Sequence, residues 1–211
     1  MILYMHQSGI SPNDLSGIIS ENGEVHIEES LEQIQELAKQ KKVVAIGEIG
    51  LDYYWNKENK ELQQEIFIKQ IEMANELSLP IIVHTRDAVE DIIDILKNKK
   101  QCKNKGVFHC CPLNRELIKE VLKLDYYVSF AGPVTFKNAK SADEVIDMVP
   151  LERMVIETDC PYLSPDPLRG RRNDSRNLKY IAEKIANVKG MKVEEIAEIT
   201  YSNAKELFRI K

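Results

Sequence analysis

The chain alternates between short apolar runs and amphipathic stretches, and this rhythm constrains its fold more than any other feature. The runs "VVAIGE" (43–48), "PIIVH" (80–84), "GVFH" (106–109), "YYVSF" (126–130) and "RMVIETD" (153–159) predict buried strands. They are short, rich in β-branched or aromatic residues, and bounded by Gly, Pro or charge. Helical patterns lie between them. Glu58–Leu79 places apolar residues at Leu62, Ile66, Ile71, Ala74 and Leu77. Asp87–Lys99, Asn114–Leu124, Ala142–Met148, Asn177–Val188 and Val193–Arg209 follow the same period. The first 42 residues are less regular: "MILYM" suits a strand, "SPNDL" a turn or helix start, and Ser30–Lys41 a helix. Strand–helix alternation gives an α/β fold, a parallel sheet covered by helices. Strands buried on both faces explain the near-continuous apolar runs. With no long linker, repeat or low-complexity tract, residues 1–211 read as a single domain.

The ends of these runs are chemically unusual. They carry Glu48, His84, His109 and Asp159 in turn. In a parallel α/β fold the C-terminal strand ends share one side, where active sites are built. Each residue taken alone has a plainer reading. A histidine there can be a hydrogen-bonded rim residue, and a carboxylate can cap the next helix. Four such ends together point to a metal site. A mixed histidine and carboxylate set suits Zn²⁺, Mn²⁺, Fe²⁺ or Co²⁺ better than Ca²⁺, which prefers oxygen alone. A cation also offsets the cost of a charge such as Glu48 at the end of a buried strand. His6 and His26 lie outside this pattern and read as non-catalytic.

Composition narrows the partners. A net charge of −5 gives no support for a broadly basic nucleic-acid clamp. It leaves room for a phosphate substrate held by cations and a few local arginines. The four cysteines, Cys102, Cys110, Cys111 and Cys160, form no CxxC pair and read as reduced thiols. No apolar run approaches the ~20 residues of a membrane helix, and the N-terminus does not resemble a signal peptide. A cytoplasmic protein without membrane contact is the expectation.

Taken in order, "AIGEIGLDYYW", "LPIIVHTRDA", "GVFHC", "YVSFAGPVTFKNAK" and "VIETDCPYLSP" resemble the TatD family of metal-dependent deoxyribonucleases, as does the stretch from "RGRRND" to "AKELF". The resemblance implies a TIM-type (β/α) barrel with a dinuclear site at its C-terminal face. It implies that Glu48 bridges two metals, that His84 and His109 hold one of them, and that Asp159 joins the other and orients the attacking water. Arg86 of "HTRDA" resembles a substrate-facing residue. Arg172 and Asn173 of "RGRRND" resemble part of a loop at the site's mouth, where a solvated basic loop is an equal alternative. The metal stays undistinguished among Zn, Mn, Mg, Fe and Co.

The sequence also departs from the family. Its members open on a strand ending in His-x-His, and no such pair occurs here. The chain begins near what resembles the third barrel strand, so a barrel incomplete at the N-terminus, lacking about two β/α units, is expected. A complete barrel takes ~250 residues. Ser11 stands where the family has a histidine, and Cys111, Pro112 and Leu113 replace its residues after "FHC". His6 alone does not restore a histidine pair. One metal site is therefore expected, with the second weakened. Missing strands expose sheet edges, which makes a homodimer covering the gap an expectation. The expected activity is hydrolysis of DNA phosphodiester bonds from an end, with Asp159 and Glu48 as the catalytic carboxylates. The alternatives are a weak or inactive truncated homologue and a hydrolase of another substrate, because fold alone does not decide.

Overall fold

A computed structural model describes residues 9–12, 15, 26–55 and 57–211. His6 and the expected "MILYM" strand lie outside them. The chain divides into two compact units, one containing the described residues up to Val107 and the other running from Phe108 to Lys211.

The first unit holds α1 (Ile27–Ala38), β1 (Ile46–Asp52), α2 (Lys60–Glu76), β2 (Ile81–Arg86) and α3 (Val89–Asp94), which passes into a π-helical turn over Ile95–Lys99. β3 (Gly106–Phe108) follows. β1 and β2 are parallel. Ile46, Ile49 and Leu51 of β1, Ile81 and Val83 of β2, and Phe67 and Ile71 of α2 are fully buried.

Two expectations about this unit are corrected. The buried face of α2 includes Gln63 and Gln70, whereas Leu62 and Leu77 are only half-buried. Both glutamines bind backbone. Gln70 accepts from Ile10 N–H at 2.5 Å and donates to its carbonyl at 3.2 Å. Gln63 does the same for Asp52, at 2.7 and 3.2 Å. A side-chain amide satisfies a peptide group's donor and acceptor together, which makes its burial tolerable.

The second correction concerns strand ends. None of Glu48, His84, His109 and Asp159 is the last residue of its strand. β1 continues through Ile49, Gly50 and Leu51 to Asp52, because these residues keep the ladder with β2 apolar and paired. β2 runs on to Arg86, His109 directly follows β3, and Asp159 lies in the loop beyond β5. Glu48 occupies a bulge: β1 takes three steps from Ile46 to Ile49 while β2 takes two from Ile81 to Val83. A bulge bends the strand and re-aims a side chain.

The second unit holds α4 (Arg115–Lys123), β4 (Tyr127–Phe130), α5 (Ala142–Met148), β5 (Met154–Ile156), α6 (Leu178–Lys189) and α7 (Val193–Leu207). β4 and β5 are parallel. Asn114 starts α4 by accepting from the amides of Glu116 and Leu117, an N-cap. Gly190 ends α6 in the left-handed conformation. Val128, Phe130, Met154, Ile181, Ile185 and Ile196 are fully buried. No helix of the described residues is long and apolar enough to cross a membrane.

Candidate functional site

In the first unit the bulge brings Glu48 to His84. Glu48 Oε1 lies 2.6 Å from His84 Nδ1. On the other side of the ring, His84 Nε2 lies 3.0 Å from Asp52 Oδ2. Asp52 is fully buried. Its second oxygen, Oδ1, accepts from the backbone amides of Tyr54 and Trp55 at 2.9 and 3.0 Å. Burial pushes the Asp52 carboxyl up, but the His84 hydrogen bond and these amides outweigh it and hold the carboxyl below its usual range. A carboxylate only accepts hydrogen bonds, so Asp52 calls for a proton on Nε2, while Nδ1 on the other side of the ring faces Glu48.

Gly50 makes this approach feasible. It pairs with His84 in the ladder. Its φ is +139°, and a Cβ there would meet the His84 carbonyl oxygen at 2.0 Å. Only glycine fits.

In the second unit His109 has a similar setting. His109 Nδ1 lies 2.8 Å from Glu157 Oε2. Glu157 Oε1 accepts from the Cys110 amide at 2.6 Å, and the Ser129 hydroxyl also bonds to it. Burial pushes the Glu157 carboxyl up, but the His109 charge and these hydrogen bonds pull it down to about 2. The backed nitrogen is Nδ1, which leaves Nε2 on the opposite side of the ring. Asp159 Oδ1 lies 3.8 Å from it.

Asp159 starts no helix, so capping does not explain it. It sits in a turn closed by Tyr162 N–H onto the Asp159 carbonyl at 3.0 Å. Asn173 fixes this loop. Its buried side-chain amide donates to the carbonyls of Thr158 and Tyr162, both at 2.7 Å. Both amide hydrogens of Asn173 are therefore spent holding Asp159's loop. Arg172 beside it is exposed, as is Arg86 at the end of β2. His26 precedes α1 and lies 3.7 Å from Glu29 on the surface. None of the four cysteines forms a disulfide, and burial pushes the Cys111 thiol up.

Asp52 and Glu157, the carboxylates that hold the two imidazoles, were not singled out by the sequence. Both were visible as carboxylates directly ending or following an apolar strand. Attention to the first carboxylate of β1 and the last of "ETD" hid them.

The donor chemistry fits a divalent metal. Each histidine has one ring nitrogen held by a carboxylate, buried in Asp52 and half-buried in Glu157, and the other facing a second carboxylate, the arrangement that orients metal-ligating imidazoles. Comparison with known proteins agrees. The family model for TatD related DNase matches residues 4–209. A Bacillus subtilis protein described as the uncharacterized metal-dependent hydrolase YabD is 52% identical over 183 residues, covering 87% of this chain and 72% of its own length. YcfH of Escherichia coli K12, described in the same words, is 45% identical over 180 residues, covering 85% of this chain and 68% of its own. The crystal structure of YJJV, a TatD homolog from Escherichia coli k12, superposes with a TM-score of 0.86 at 27% identity, covering 96% of this chain and 76% of that one. The α/β fold is thus that of the TIM-type TatD barrels, and the chain belongs to the TatD related DNase family of metal-dependent hydrolases.

Proposed function

We propose that Glu48, His84 and His109 hold one divalent metal ion and that the protein hydrolyses phosphodiester bonds of DNA. The observation that carries this reading is the pair of carboxylate-backed histidines, each turning its other ring nitrogen towards a second carboxylate. Three protein ligands leave coordination positions open, as in catalytic centres. A bound divalent cation supplies neutralisation of phosphate charge and a lowered pKa for water. Asp159 accepts the proton of the attacking water and orients it, being partly exposed and held by Asn173's loop. Arg86 is exposed two residues beyond His84, on the same face of β2 by strand alternation, and pairs with a phosphate oxygen. DNA as the substrate is supported by the family's description.

Metal analysis of the purified protein, paired with digestion of single-stranded DNA across several divalent ions, tests the proposal. One tightly held ion per chain and metal-dependent release of nucleotides are expected. A chain that retains no metal, or that retains it and leaves DNA intact, overturns the proposal.

A further inference from the structure

Trp55 is the chain's one tryptophan, and 64% of it is exposed, next to a Tyr54 that is 48% exposed. Adjacent exposed rings make a contiguous apolar patch, the kind of surface that marks an interaction site. These two form an edge-to-face pair with centroids 4.9 Å apart. The Arg86 guanidinium lies 3.9 Å from the Tyr54 ring centre and 5.7 Å from that of Trp55.

Their position is fixed by the site itself. The Asp52 carboxylate that holds His84 through Oδ2 holds the amides of Tyr54 and Trp55 through Oδ1. Arg86 shares a face of β2 with His84. The aromatic turn is therefore tied to a metal-ligating imidazole through one buried side chain. The exposed cations Lys57 and Lys60 follow the turn, with Glu58 between them.

We propose that Tyr54, Trp55 and Arg86 form a stacking platform for a nucleobase of a single-stranded DNA substrate, next to the reacting phosphate. This inference rests on the nuclease reading and adds how the strand is held. Every base offers a π-face, so stacking binds a strand without reading its sequence. Arginine stacked on an aromatic ring keeps its N–H edge for phosphate. Stacking also answers the difficulty posed by the net charge of −5, because a protein without a broad basic surface needs a non-ionic contact to retain a strand.

The test uses the full, Mg²⁺-loaded chain and a single-stranded phosphorothioate oligonucleotide that resists cleavage. Trp55 fluorescence is expected to be quenched saturably by this strand, and far less by an abasic oligomer of equal length. In an anisotropy titration with the labelled strand, Trp55→Ala is expected to weaken binding by about 5- to 150-fold, the range set by loss of one stacked base. Trp55→Phe is expected to recover most of that affinity, and Arg86→Ala to weaken binding as well. Circular dichroism of each variant checks folding, which an exposed side chain should not disturb. Equal quenching by the abasic oligomer, or unchanged affinity in Trp55→Ala, overturns the platform. If ordinary DNA is still cleaved in that case, the nuclease reading stands without it; if neither binding nor cleavage occurs, both fall.

Discussion

The two histidines solve one problem with opposite nitrogens. His84 is backed at Nε2 by Asp52 and offers Nδ1, whereas His109 is backed at Nδ1 by Glu157 and offers Nε2. The difference follows from where each backing carboxylate is anchored. Asp52 is held by the amides of a turn that follows its own strand. Glu157 is held by Cys110, the residue after His109 itself, and by Ser129 of β4. The comparison teaches that the ring nitrogen turned towards the second carboxylate is set by the support behind the ring rather than by the ring's place in the strand. The facing carboxylates differ too: Glu48 is in direct contact at 2.6 Å, whereas Asp159 stands off at 3.8 Å.

Breaking either ring should have the largest effect. His84→Ala or Glu48→Ala is expected to abolish stoichiometric metal and all turnover, read by elemental analysis; full metal content in either variant removes the ligand assignment. Asp159→Asn separates the two facing carboxylates. It should lower kcat by about 10²- to 10⁴-fold, the range for a positioned proton acceptor, while metal content stays near normal. Turnover retained in this variant would place the proton acceptor elsewhere.

The backing carboxylates come next. Asp52→Asn puts an N–H group against either His84 or the turn amides, and Glu157→Gln does the same against His109 or the Cys110 amide. Each should weaken metal affinity by about 10- to 100-fold, measured by competition with a chelator. Nitrogen-15 spectra should show the His84 tautomer change in one variant and the His109 tautomer in the other. The same tautomers in variant and parent would show that the backing does not choose the nitrogen.

A pH effect separates the halves further. The Glu157 carboxyl is held at about 2 in the folded chain against an ordinary 4.5. A depressed folded value contributes stability above the ordinary value and loses it as pH falls towards the folded one. In metal-free protein, the stability advantage of the parent over Glu157→Gln should shrink between pH 4.5 and about 2. A gap that stays constant in denaturant titrations across that window would contradict the assignment. The smallest effect is expected from Gln63→Ala, which strands the buried amide and carbonyl of Asp52. It should cost about 1–3 kcal/mol of stability, seen as a lower urea midpoint, with the tautomer of His84 unchanged.

Much of this was legible in the sequence, for physical reasons. Strands such as "PIIVH" and "GVFH" are apolar on both faces and announce themselves. α4 was legible from its period and from Asn114 as a cap. Glu48, His84, His109 and Asp159 could be selected because a charge or imidazole beside a buried strand demands an explanation. The bulge at Glu48 was not legible, because register is a property of two strands and no single stretch encodes it. Gln63 and Gln70 were hidden because glutamine on an amphipathic helix looks like a solvent-facing residue. Their partners are peptide groups 11 and 60 positions away. Asp52 was in plain view but had no visible partner until the strand was extended past Glu48.

The glutamine clasp on β1 has a further consequence. Gln63 recognises the peptide group of residue 52 and is indifferent to what that residue carries. An isosteric side chain such as Asn can therefore be tried at 52 with this clasp on the strand intact, so the neighbouring imidazole is open to tuning by a single substitution rather than by rebuilding of the fold.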